Sequence, residues 1–219
     1  MNDMIQTVAV YALPVLFAIT LHEAAHAYAA KYFGDTTAYQ QGRMSLNPVR
    51  HIDPFGTILI PIMMYFATGG AFLFGYAKPV PVDFSRLRNP KKQMAWVALA
   101  GPAANLFMAL LWMIFGTLLA ALQMEEMFFM RMAQAGVLVN LVIFALNLFP
   151  LPPLDGGRIV TSMLPDKYAT PYARIEPYGF FILIGLMLLH VLQYWLVPVM
   201  VIANTVLTLI VSPLNFLLN

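Results

Sequence analysis

Long stretches without a charged side chain alternate along this chain with short polar ones. Residues 4–22, 54–77, 93–124, 132–154 and 177–219 contain no Asp, Glu, Lys or Arg. A helix needs about 20 apolar residues to cross the roughly 30 Å of hydrocarbon in a bilayer. Each window is long enough for one crossing, and the last is long enough for two. The first helix is expected over 4–33, stopped by Gly34 and Asp35. In the linker and loop region 34–90, Asn47-Pro48 reads as a turn, and Asp53-Pro54 as a cap plus first-turn proline opening a short helix to about Phe66. Pro61 and the pair Gly69-Gly70 interrupt 54–77, which is therefore read as re-entrant or in-plane. The proline-rich alternation of GYAKPVPVD at 75–83 suits an extended edge strand. Asn89-Pro90 repeats the cap-plus-proline signal before a helix over 91–122, and a helix over 128–149 runs into Pro150, Pro152 and Pro153. A short Asp-Gly-Gly segment at 155–164 and one or two C-terminal helices over 178–217, divided near Pro198, complete the chain. The expected fold is an all-α integral membrane protein. It is a multi-pass bundle of about four to six transmembrane helices, forming a single membrane-embedded domain over 1–219 with no repeat and no appended soluble domain.

Composition agrees and narrows the chemistry. Of the 219 residues 61% are hydrophobic and 10% charged, with a mean hydropathy of +0.75, outside the range of a water-soluble domain. The start MNDMIQTVAV carries Asp3 and no basic residue, so it lacks the basic leader of a signal peptide and reads as a retained helix. With no cysteine, disulfides, thiolate metal sites and a cysteine nucleophile are excluded together. The net charge of +2, with basic residues confined to loops, gives nucleic-acid binding no support.

Residues 22–26 read His-Glu-Ala-Ala-His. Histidines at i and i+4 of a helix lie one turn apart on one face, within reach of a single metal ion. Glu23 is then placed to take a proton from water, the general-base role in metal-assisted peptide hydrolysis. The bland alternative is two histidines satisfied by neighbouring helices beside a stray carboxylate. A carboxylate at mid-bilayer costs roughly 2.5–3.5 kcal/mol on insertion scales, whereas structural zinc binds small peptides with roughly 10–16 kcal/mol, so a metal reverses the cost. A catalytic zinc takes three protein ligands and keeps one position open. Among candidates for the third, Asp53 is explained by capping and His51 by solvent exposure in a polar linker. His190 stands beside Tyr194 and Trp195, as in an interfacial aromatic belt. Asp155 follows an uncharged helix and three prolines, an irregular path tolerated at a membrane boundary only where protein or water surrounds it. It could cap the helix 156–164, but beside HEAAH the ligand role is favoured. Zinc with one aspartate and an ionised Glu23 also sums to zero charge, the cheapest cluster to bury.

HEAAH in the first apolar helix, GPAAN at 101–105 and NLFPLPPLDGG at 147–157 together resemble the site-2 protease family of intramembrane metalloproteases, peptidase family M50. The likeness is to its short bacterial form without PDZ or CBS domains, and GRMSLNPVRHIDPFGT at 42–57 and GYAKPVPV at 75–82 extend it. The resemblance implies His22, His26 and Asp155 as ligands of one Zn2+ and Glu23 as catalytic base. It places Asn147 near the scissile bond, where its amide would bond substrate backbone or oxyanion; an asparagine bridging two membrane helices is the structural alternative. The implied partners are a transmembrane protein substrate, cut in or near its membrane segment, and the lipid bilayer; a homo-oligomer is admitted but not required. Unwound substrate could pair with the edge at 75–82.

If 54–77 does not cross and the N-terminus lies outside, then of the 12 basic residues only Arg131 falls outside. That is the bias the positive-inside rule favours. The layout implies a multi-pass protein of a bacterial inner membrane whose active site faces the cytoplasm. The competing class is a transporter or channel with buried His, Glu and Asp as ion or proton sites. It does not account for their HExxH order, and no inverted pair of broken helices accompanies them.

Overall fold

A computed structural model of the chain describes residues 2–51, 53, 56, 59, 63, 78–124 and 126–218. Every regular element among them is helical. Helix α1, Asn2–Phe33, contains the buried Pro14, tolerated in a membrane helix because neighbouring helices cover the freed backbone. It stops at Gly34, whose φ of +116° suits a residue without a side chain. Gly34 N donates to Lys31 O at 3.1 Å and Asp35 N to Ala30 O at 2.9 Å, the paired bonds that close a helix end. The short α2, Thr37–Gln40, follows, and then a 3-10 turn, Pro48–Arg50, with Asn47 accepting from Val49 N.

A second such turn, Phe84–Arg86, leads to α3, Pro90–Ala121. The proline is where the sequence puts it, but the Asn89 side chain makes no cap. Gln93 Oε1, one turn further on, instead accepts from Asn89 N at 2.8 Å. Then come α4, Met127–Asn147; α5, Asp155–Met163; α6, Asp166–Ala173; α7, Glu176–Leu188; and α8, Gln193–Leu218. Four of these, α1, α3, α4 and α8, are long and apolar enough to cross a membrane. The C-terminal segment thus supplies one crossing. Helix α7 has 13 residues, about 20 Å at 1.5 Å per residue, too short to span. The chain turns from it into α8 at His190, whose φ is +57°.

Helix α3 packs against α1, α4, α5 and α8. What lets it is small side chains: Ala18, Ala30, Ala109 and Ala145 are all fully buried. The large ones face outward, with Phe107 59%, Ile202 65% and Leu209 67% exposed. That inverts a water-soluble core and is the arrangement lipid demands. Lipid tails are as apolar as leucine, so close backbone approach decides which faces meet. Between α3 and α4 the approach rests on Gly136, where a Cβ would collide with the Trp112 ring. Helix α8 seals the far side through Ala203 and Leu207, and Trp195 Nε1 donates to Ala145 O at 2.9 Å.

The stretch from 35 to 83 leaves and returns at one end of the bundle. Buried Asp35 accepts from Thr37 N at 2.9 Å and from Asp83 N at 2.7 Å, and Arg88 N donates to Phe33 O at 3.0 Å. The end of α1 and the residues that lead into α3 therefore lie side by side at that end. The expected helix 54–66 and the Gly69-Gly70 joint lie outside the described residues, apart from Gly56, Leu59 and Met63, which are helical.

Two expectations are corrected here. His51 is not solvent-exposed: it is 1% accessible, its Nε2 lies 2.8 Å from Ser45 O, and its carbonyl accepts from Lys78 N at 3.0 Å. The polar linker folds back on itself, and an imidazole that can serve a main-chain carbonyl fits inside such a turn. Residues 78–83 are irregular, not a strand, while 75–77 lie outside the described residues. Pro79 and Pro81 have no N–H, and the Lys78 and Val80 donors are committed to His51 O and to Glu23, so no ladder forms.

Candidate metal centre

The HEAAH turn lies in the last third of α1, with His22 and His26 facing α3. Each ring is fixed by what its Nδ1 touches. His26 Nδ1 lies 2.8 Å from Val97 O, a carbonyl that can only accept, so that nitrogen carries the proton. His22 Nδ1 donates in the same way to Asn105 Oδ1 at 2.6 Å. Both Nε2 atoms are therefore bare, and they lie 3.0 Å apart. Gly101 of GPAAN makes this possible, because a Cβ there would strike His26 Nε2 and His22 Cε1.

Asp155 completes the group from the other side. After α4 the chain bends through Leu148–Leu154, including a cis Pro152-Pro153 peptide, and restarts as α5 with Asp155 as its first residue. Gly156 and Gly157 lie hard against the backbone of Leu148 and of Leu151-Pro152, where a Cβ has no room. This tucks the start of α5 under α3. Asp155 makes no cap; its Oδ2 points to His22 Nε2 at 3.2 Å and His26 Nε2 at 3.3 Å and has no hydrogen-bond donor.

Three lone pairs thus converge at 3.0–3.3 Å with no proton to share, an arrangement that repels itself unless a cation sits among them. Bonds of roughly 2.0–2.1 Å to a tetrahedral zinc put neighbouring ligands about 3.3–3.4 Å apart. The donor set fits zinc, and among the described residues this is the one trio of His, Asp and Glu close enough to hold a metal.

The same three side chains line a cavity of 140 Å³ with Glu23, Asn147 and Arg158. Glu23 Oε2 accepts from Val80 N at 2.7 Å, so the 78–83 segment lies over the site and sets the carboxylate's orientation. Asn147, at the end of α4, donates from Nδ2 to Ile143 O of its own helix at 3.0 Å; this bond does not bridge two helices. All five residues singled out in the sequence therefore meet at one cavity. What sequence reading missed is the role of Asn105, noted only as the last residue of the GPAAN segment, and Asn140 behind it, each 0% exposed. The one available signal was an amide in the middle of an apolar helix, which needs a partner.

Residues 10–130 and 119–190 match the family model described as Peptidase family M50. A Bacillus subtilis protein named "Putative zinc metalloprotease YwhC" is 37% identical over 197 residues, covering 86% of this chain and 84% of its own. "Putative zinc metalloprotease Rip2" of Mycolicibacterium smegmatis is 31% identical over 181 residues, 82% and 67% of the two chains. The Mycobacterium tuberculosis H37Rv protein of the same name is 31% identical over 184 residues, again 82% and 67%. No solved structure matches. Four membrane-crossing helices around two histidines and an aspartate define a membrane-embedded metallopeptidase. This chain belongs to peptidase family M50, the site-2 proteases, and is an intramembrane zinc metalloprotease acting on membrane proteins.

Proposed function

We propose that His22, His26 and Asp155 are the zinc ligands, Glu23 the general base and Asn147 a group that holds substrate, in an active site facing the cytoplasm. The observation that carries this is the convergence of three unprotonated ligand atoms at 3.0–3.3 Å beside a carboxylate and a cavity. Bound zinc supplies Lewis acidity to the scissile carbonyl and lowers the pKa of water. The chain's own residues do the rest. With Oε2 held by Val80 N–H, Glu23 presents its other oxygen to take the proton from attacking water and hand it to the leaving amine. The Asn147 side chain has a second amide hydrogen beyond its bond to Ile143 O, suited to a substrate carbonyl or its oxyanion. Val97, Ala98 and Val82 give the cavity apolar walls that limit water. The cytoplasmic placement is supported by the basic residues on the metal's end of the bundle, Lys31, Arg86, Arg88, Lys91 and Lys92 among them.

The test is incubation of purified wild type and Glu23→Gln, each in detergent, with a panel of bacterial single-span proteins. The amide cannot accept water's proton and is not a ligand. The variant is therefore expected to keep its zinc and lose cleavage by about 10²-fold or more. Near wild-type proteolysis by Glu23→Gln would overturn the assignment.

A further inference from the structure

Two asparagines lie fully buried between apolar helices at 0% exposure, and the hydrolytic reading uses neither. Their bonds form a line with one polarity. Asn140 Nδ2, on α4, donates to Gly136 O at 2.8 Å, leaving its Oδ1 to accept from Asn105 Nδ2, on α3, at 3.0 Å. The other Asn105 amide hydrogen goes to Ala18 O of α1 at 3.1 Å, and Asn105 Oδ1 accepts from His22 Nδ1 at 2.6 Å. Both ends of the line are main-chain carbonyls, which can only accept. Turning Asn140 over would set donor against donor at Asn105 and oxygen against oxygen at Gly136, and turning Asn105 over would set its oxygen against Asn140 Oδ1 and Ala18 O, with both side chains fully buried.

We infer that Asn105 and Asn140 form a positioning relay. It locks His22 in the tautomer whose Nε2 is bare and so sets the affinity of the site for its metal. The inference rests on His22 being a zinc ligand and adds what decides that ligand's quality. His26 is locked directly by Val97 O, so its tautomer cannot be altered through a side chain. His22 is locked only through Asn105, and Asn105 only while Asn140 offers it an acceptor. Asn140, on α4, thereby controls a ligand on α1 that it does not touch. The competing account is that the amides simply fasten α3 to α4, as polar side chains between membrane helices commonly do.

Zinc dissociation constants measured by chelator competition on purified protein in detergent, together with thermal unfolding of the metal-free forms, separate the accounts. Loss of an outer partner of a metal-bound histidine typically weakens binding 10- to 100-fold. That range is expected for Asn105→Ala, with about 10-fold for Asn140→Leu. The double variant should bind no more weakly than Asn105→Ala alone, because without Asn105 there is nothing for Asn140 to hold. Asn140→Asp, protonated in this apolar setting, keeps an acceptor for Asn105 and a donor for Gly136 O, and should restore near wild-type affinity. Should the leucine variant fail to fold, Asn140→Ala removes the same acceptor without added bulk and carries the same expectation.

Unchanged zinc affinity in Asn140→Leu or Asn140→Ala, with only the metal-free protein destabilised, would overturn the relay and leave a fastener. So would an additive loss in the double variant. His22→Ala with wild-type zinc affinity would overturn the ligand assignment itself, and the relay with it.

Discussion

Asp155 stands at the start of a short helix, where an aspartate ordinarily serves the backbone. Here its carboxylate points away from the α5 amides and toward two imidazoles. A lost cap would cost about 1 kcal/mol and leave the metal bound. Asp155→Ala is expected instead to abolish stoichiometric zinc in the purified protein, measured by metal analysis; retained zinc would return the residue to a capping role. Residues differ in how far sequence alone exposes them. His22, Glu23 and His26 were legible because a fixed helical spacing fixes their mutual geometry. Asp155 was legible once a third ligand was required. His51 was not, since a polar linker gives no hint that it folds onto itself. Nor was Asn105, because an amide in an apolar helix declares that it has a partner without naming it.

Among the elements, α3 carries the most consequence per residue. It supplies Val97 O to one histidine and Asn105 to the other, and its Gly101 leaves the space both rings occupy. Gly101→Ala places a methyl group where His26 Nε2 and His22 Cε1 lie. Overfilling of this kind costs about 1–3 kcal/mol, and here it falls on ligands, so zinc affinity measured against a chelator should drop by more than the metal-free melting temperature suggests. An unchanged dissociation constant would mean that α3 can shift away from α1 without cost. Helix existence was legible from charge-free windows, and α1, α3 and α4 begin and end within about two residues of their expected limits. The division of the C-terminal segment was not. Both sides of the α7–α8 turn are strongly apolar, and the length of the pieces separates a crossing from a partial one.

On the scale of the molecule, the pairing of Phe33 with Arg88 and of Asp35 with Asp83 puts the end of α1 and the start of α3 together. Lys91 Nζ, 2.6 Å from Asp166 Oδ1, brings α6 to the same end. Gln123, beyond the far end of α3, lies at the opposite one. Since the chain has no cysteine of its own, single cysteines at Ser85, Gln123 and Thr170 can be probed on intact cells with an impermeant thiol reagent. Labelling is expected at position 123 alone. Labelling at 85 and 170 without 123 would overturn this layout, either by inverting the whole orientation or by showing that 54–77 crosses, and labelling at both 85 and 123 would show that α3 does not cross.

The closure of the 35–83 stretch also separates covalent continuity from architecture. Each side of that stretch is complete as a membrane unit: one helix entering before it, three crossing helices after it. The bonds that join them, from Asp35 to Asp83 and from Phe33 to Arg88, do not depend on the peptide chain between. Two separately translated pieces divided at Gly69-Gly70 would insert with unchanged orientation. They would meet across the same alanine-lined surface and rebuild a centre whose ligands come from both, His22 and His26 from the first piece and Asp155 from the second.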